Sequence, residues 1–144
     1  MMEYRTDILY VLLYARGKSM MDNEPIKTRN YLQREMFLLQ LEKPFTSLEC
    51  KYRYKTGSYD PYSGELLDDL LTGVEMGFIN EDHDIFLTSQ GVQHAVKSWS
   101  IFDCPFKQTA IHIKEEYNGM EYKELLAVSN EQIQKIKQIP NWLK

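Results

Sequence analysis

Apolar residues recur at helical spacing in several stretches, and the clearest pattern lies in residues 51–91, KYRYKTGSYDPYSGELLDDLLTGVEMGFINEDHDIFLTSQG. Leu66, Leu67, Leu70, Leu71 and Val74 form one stripe of an amphipathic helix. Asp60-Pro61 predicts its start, Asp accepting from orphan N–H groups and Pro pre-set for the first helical position. Gly77 stands where a left-handed residue ends such a helix. Phe78-Ile79 and Ile85-Phe86-Leu87 are short apolar runs around the polar Asn80–Asp84, which predicts a hairpin. Thr88 then predicts the N-cap of a further helix. Strand, turn, helix, hairpin and helix in that order form the core of a winged-helix domain.

The flanking patterns extend this core. Residues 3–15 predict a helix with Tyr4, Ile8, Val11 and Leu12 on one side, widened by Leu9 and Leu13, with Gly17 at its C-cap. After a loop over Lys18–Ile26, Thr28 caps a second helix reaching about Leu41. That helix is apolar over most of its girth, the pattern of a centrally buried element. Pro44 ends it, and Phe45–Lys55 follows as extended chain. A fourth helix over about Ser89–Trp99 turns Val92, Ala95, Val96 and Trp99 inward. Cys104-Pro105 opens a fifth to about Tyr117, broken by Gly119. Glu121–Val128 predicts a short helix, and Ser129 with Gln132 a capping box for a last one ending at Pro140. The expected fold class is α+β, mainly α: a winged-helix-like helical domain with a small antiparallel hairpin. It is read as a single domain over residues 1–144, with a C-terminal helical extension over about 105–144.

Composition narrows the class. A chain of 144 residues buries roughly two-thirds of its unfolded surface without staples. Its 43% apolar and 26% charged residues are those of an ordinary globular protein. A net charge of −4 supplies no whole-protein attraction for nucleic acid or anionic membrane. Cys50 and Cys104 show no paired spacing. Glu3 and Asp7 flank the first apolar run, so it does not read as a signal peptide, and Ile8–Tyr14 is too short to span a bilayer. The expectation is a cytoplasmic protein with reduced thiols and no membrane association.

Several constellations bear on chemistry. Lys51-Tyr52-Arg53-Tyr54-Lys55 alternates base and aromatic with period two. Such a strand places the two residue types on opposite faces, which favours buried tyrosines with protective edge charges over a nucleic-acid surface. Residues 60–84 carry Asp60, Glu65, Asp68, Asp69, Glu75, Glu81, Asp82 and Asp84 and neither Lys nor Arg. The helix and wing that normally enter a DNA groove would therefore repel phosphates. Basic residues lie earlier, at Lys27, Arg29, Arg34, Lys43, Lys51, Arg53 and Lys55. One basic and one acidic side suit a protein partner or self-association. The basic side remains the disfavoured DNA alternative, through Lys27, Arg29, Arg34, Lys51, Arg53 and Lys55. Tyr52, Tyr54, Tyr59 and Tyr62 around the Gly57–Gly64 turn, with Glu65, Asp68 and Asp69, form the candidate contact surface. Glu81-Asp82-His83-Asp84 matches no known metal-loop spacing and reads as a solvated turn. Cys104 and His112 stand two helical turns apart, roughly 12 Å, too far for a dyad. No catalytic, cofactor or metal role is assigned.

Four segments are similar to a known family. Thr28-Arg29-Asn30-Tyr31-Leu32-Gln33-Arg34-Glu35-Met36-Phe37-Leu38-Leu39 resembles the T-(K/R)-L-Q-K-L-x-F-L-L helix of YwgA-like proteins, whose layout the SocA/Panacea-type antitoxin domains share. Tyr52-Arg53-Tyr54, Gly57, Pro61-Tyr62-Ser63 and Glu65-Leu66 resemble their Y-K-Y-G-P-Y-S-x-E-L signature. Met76-Gly77-Phe78-Ile79 and Leu87-Thr88-Ser89-Gln90-Gly91 resemble L-G-L-I and L-T-x-x-G. Two departures stand out: Ser58-Tyr59-Asp60 is inserted between the signature Gly and Pro, and Gly64 follows Ser63 where a helix former is usual. The resemblance, over about residues 4–126, implies a winged-helix-like module without catalytic residues. Its antitoxin-type relatives neutralise a partner toxin by binding it, and some are adaptors for proteolysis.

Overall fold

The computed structural model describes residues 4–56, 61–136 and 138–144. Its helices are α1 (Arg5–Tyr14), α2 (Arg29–Leu41), α3 (Gly64–Glu75), α4 (Ser89–Ile101), α5 (Cys104–Tyr117) and α6 (Tyr122–Lys135). A 3-10 turn covers Phe45–Ser47. Strands β1 (Ile79–Glu81) and β2 (Ile85–Leu87) pair antiparallel, Ile79 opposite Leu87 and Glu81 opposite Ile85. The fold is mainly α with a small antiparallel sheet. Ile26 adds a bridge to β2, exchanging both backbone hydrogen bonds with Ile85 at 2.9 and 2.7 Å.

Helix α2 is the centre. Every residue from Tyr31 to Gln40 is buried, polar ones included. Helices α5 and α6 pack against it, while α1 lies mainly on α4. The buried apolar side chains of α1, α2, α3, the hairpin, α5 and α6 form one cluster with Trp142 and Leu143 of the C-terminal segment. No helix among the described residues is long and apolar enough to cross a membrane.

Local rules explain the joint between α3, the hairpin and α4. Gly77 sits at φ +82°, the left-handed region that side chains with a Cβ avoid. Thr88 caps α4 by accepting the Gly91 N–H at 3.0 Å, and its hydroxyl donates to the Gly77 carbonyl at 2.6 Å. Gly91 allows the closest approach, since a Cβ there would meet the Phe78 carbonyl oxygen at 1.8 Å.

Four expectations are corrected. Helix α1 ends at Ala15, which is extended, so Gly17 does not cap it. Helix α3 starts at Gly64, with the Ser63 hydroxyl accepting the Leu66 N–H at 3.1 Å. Asp60 lies outside the described residues, but Pro61 precedes the helix rather than opening it. Ser129 caps nothing: it is buried within a continuous α6, its hydroxyl donating back to the Leu125 carbonyl at 2.8 Å. This is the bond a mid-helix serine makes when its side chain turns back onto the preceding turn. Val96 faces outward and is 44% exposed.

Candidate functional site

The acidic helix and the tyrosine segment are positioned by two glutamines of α2. Gln40 and Gln33 stand seven residues apart, two helical turns, and so share a face. The Gln40 amide pairs with both backbone groups of Tyr52, accepting its N–H at 2.7 Å and donating to its carbonyl at 3.0 Å. Gln33 does the same for Ser63, at 2.8 and 2.9 Å. Each amide therefore replaces a neighbouring strand for a buried backbone stretch that has none there. Between these clamps, Lys55 exchanges two backbone bonds with Tyr62 at 2.9 and 3.0 Å.

This geometry divides the proposed contact tyrosines. Tyr52 and Tyr54 are buried, at 0% and 1% exposure, and cannot anchor a partner. Tyr54 donates to the Gln33 carbonyl at 2.7 Å and packs on Phe37 and Trp142. Tyr52 donates to Asp69 at 2.8 Å, and burial pushes its phenol pKa far above the ordinary value, so it stays a donor. Tyr62 is 50% exposed. Tyr59 lies outside the described residues.

The acidic residues of α3 also separate. Arg5 binds Asp69 through Nε at 2.9 Å and through Nη2 at 3.3 Å, and reaches Glu65 at 3.1 Å. The hydrogen bond that Arg5 donates to Asp69 holds the guanidinium pKa above its usual value. Glu65 also accepts the Arg53 N–H at 2.9 Å. Asp69 and Glu65 are thus structural, tying α3 to α1 and to the extended segment. Asp68 remains exposed. At 100° per residue, Asp68, Thr72 and Glu75 form a row beside Leu67, Leu71 and Val74. Leu66 and Leu70 are buried, whereas Leu71 and Val74 are 43% and 37% exposed. The apolar stripe is wider than the core that covers it.

The basic side is largely dismantled. Arg34 is buried at 1% exposure, donating to the Tyr122 hydroxyl at 3.0 Å and to Ser129. Arg29 pairs with Glu81 of the hairpin, with Nη2 at 2.7 Å from the carboxylate. Lys51 donates to the carbonyls of Thr46 and Leu48 at 2.9 and 2.7 Å, and burial lowers its pKa. Lys27 lies 5.2 Å from the Tyr31 ring centroid. Arg53 and Lys55 keep exposed side chains.

Two buried charges lie deeper. Neither carboxylate oxygen of Glu35 accepts a hydrogen bond from a described residue, and burial raises its pKa to about 8. Lys114 donates to the Leu13 and Ala15 carbonyls at 2.8 Å each, and burial lowers its pKa to about 7. Among the described residues no three potential metal ligands cluster, and Cys50, Cys104 and His112 are exposed. His94 is half-buried, stacked on Phe78 at 4.5 Å between centroids.

Sequence reasoning missed Arg5, Gln33 and Gln40. The signal for the glutamines was present, as two amides seven apart in an otherwise apolar helix. No family model matches the chain, and no curated protein or solved structure is significantly similar to it.

Proposed function

We propose that this protein is a non-enzymatic interaction module of the regulatory, antitoxin-like kind, which docks a protein partner on the outer face of α3. The observation that carries the reading is the exposed pair Leu71 and Val74, in a row with the half-buried Leu67, beside Asp68 and Glu75. The same helix completes the core with Leu66 and Leu70, so the remaining leucine and valine are surplus to its own packing. Exposed aliphatic residues edged by carboxylates suit a partner surface that is apolar and basic. The likeness of Tyr52–Leu66 and Leu87–Gly91 to YwgA-like and SocA/Panacea-type domains supports the same reading, because those relatives act by binding. A DNA-binding role through the 27–55 side loses Arg34 to the core, Arg29 to Glu81 and Lys51 to backbone carbonyls.

The test is affinity capture from the native host, with light scattering on the pure protein beside it. Asp68→Lys combined with Leu71→Lys is the variant of choice, since both side chains are exposed and neither touches the Arg5 network. Expected is a stoichiometric partner, or a dimer, that the double variant loses while its unfolding midpoint stays near that of the wild type. A monomer without partner, or a partner that the double variant retains, overturns the reading. Duplex DNA retarded at low salt and weakened by Arg53→Ala with Lys55→Ala would put the DNA alternative in its place.

A further inference from the structure

A cleft of about 370 Å³ lies beyond the first turn of α3, away from Leu71 and Val74. Its walls come from the extended segment, the start of α3 and the C-terminal segment. Arg53, Lys55 and Lys144 supply its cations; Tyr62 and Trp142 supply rings, and Gly64 opens α3 into it. Lys55 and Tyr62 are an antiparallel hydrogen-bonded pair, so their side chains project from the same face. Arg53, two residues earlier, shares that face in an extended chain. Two cations and a half-exposed ring are therefore held together by backbone pairing.

The side-chain charge of the cleft is mainly positive. Glu65 is its acid, but one carboxylate oxygen is taken by the Arg53 N–H and the other by Arg5. Among the described residues, Arg53, Lys55 and Lys144 form no ion pair. The positive end of the α3 dipole adds to them at Gly64, where no side chain stands in the way. A complementary ligand carries an anion within reach of Arg53 and Lys55 and a flat ring for Tyr62, in a volume that suits a small molecule.

We infer that this cleft binds a nucleoside phosphate, its phosphate on Arg53 and Lys55 and its base against Tyr62. The shared chemistry has two sources, a free mononucleotide or one unit of a single strand whose base is unstacked. The site stands apart from the α3 docking face, so either reading can fail alone.

The experiment is titration of the full chain with AMP and UMP at low salt, followed by calorimetry and tryptophan fluorescence. Adenosine, inorganic phosphate and single-stranded (dA)8 are titrated in parallel. Expected is saturable, salt-sensitive AMP binding, at least about tenfold tighter than adenosine or phosphate alone, because both halves of the site contribute. Arg53→Ala, Lys55→Ala and Tyr62→Ala should each weaken it about tenfold with an unchanged melting midpoint, while Lys123→Ala leaves it unchanged. Tighter binding of (dA)8 than of AMP assigns the strand as the source, and equal or weaker binding the free nucleotide. No saturation by either nucleotide at millimolar concentration overturns the inference. So does binding that all three cleft variants retain.

Discussion

A buried polar group costs free energy where no partner meets it, and of the four buried polar residues of α2, Gln33, Arg34 and Gln40 are met by hydrogen-bond partners. Gln40 illustrates the consequence. Truncating it orphans the N–H and the carbonyl of Tyr52, each buried beside a side chain that is itself wholly buried. Each orphaned group costs about 1–3 kcal/mol, so Gln40→Ala should lose about 2–6 kcal/mol of stability in urea unfolding. Gln40→Glu is the sharper probe, because a carboxylate still accepts the Tyr52 N–H but cannot donate to its carbonyl. It should restore little of the loss, and a variant as stable as the wild type would exclude the clamp. Asp69 belongs to the same scale: its charge looked like partner surface, yet Arg5 and Tyr52 occupy it.

At the scale of elements, the α3–hairpin–α4 joint follows from a few residue types. Gly77 reverses the chain, Thr88 caps the next helix, and Gly91 lets that helix touch the Phe78 carbonyl. Gly91→Ala should destabilise the protein by about 2–4 kcal/mol, since the clash is with backbone that cannot rotate away. Gly119→Ala is the matched control, for a Cβ there meets open space. Equal melting midpoints for the two variants would show that the joint does not need this approach. Most of these elements were legible because caps, glycines and periodicity are local signals. The division of residues 121–140 into two helices failed for the complementary reason. Ser129 carries a capping signature, but Arg34 of α2 donates to its hydroxyl and holds it inside a continuous helix.

At the scale of the molecule, α2 and α5 bury Glu35 and Lys114 in one interior, and this couples stability to pH. The Glu35 carboxyl titrates at about 8 in the folded chain against an ordinary 4.5, because burial disfavours its charged form. Between those values the folded chain holds a proton that the unfolded chain releases, so stability falls as pH rises. Lys114, at about 7 against an ordinary 10.5, acts in the opposite sense above pH 7. The window from pH 5 to 7 therefore reports Glu35 most directly. Glu35→Gln should gain on the wild type by about 2 kcal/mol across that window in parallel denaturant titrations. A constant difference between the two proteins would exclude a titrating buried carboxyl.

The mainly helical class, the hairpin, the caps at Thr28 and Thr88, the left-handed Gly77 and the central burial of α2 are all written in local residue patterns. Periodicity, capping and turn chemistry act over a few residues and leave their mark in order along the chain. Tertiary structure decided which charges and rings remain available. Tyr52, Tyr54 and Arg34 went to the interior, Asp69 and Glu65 went to Arg5, and Leu71 and Val74 stayed outside although their stripe reads as core. Arg5 and Asp69 are 64 residues apart, and Tyr54 meets Trp142 across 88. Such pairings depend on how whole helices stack, and no local pattern records them.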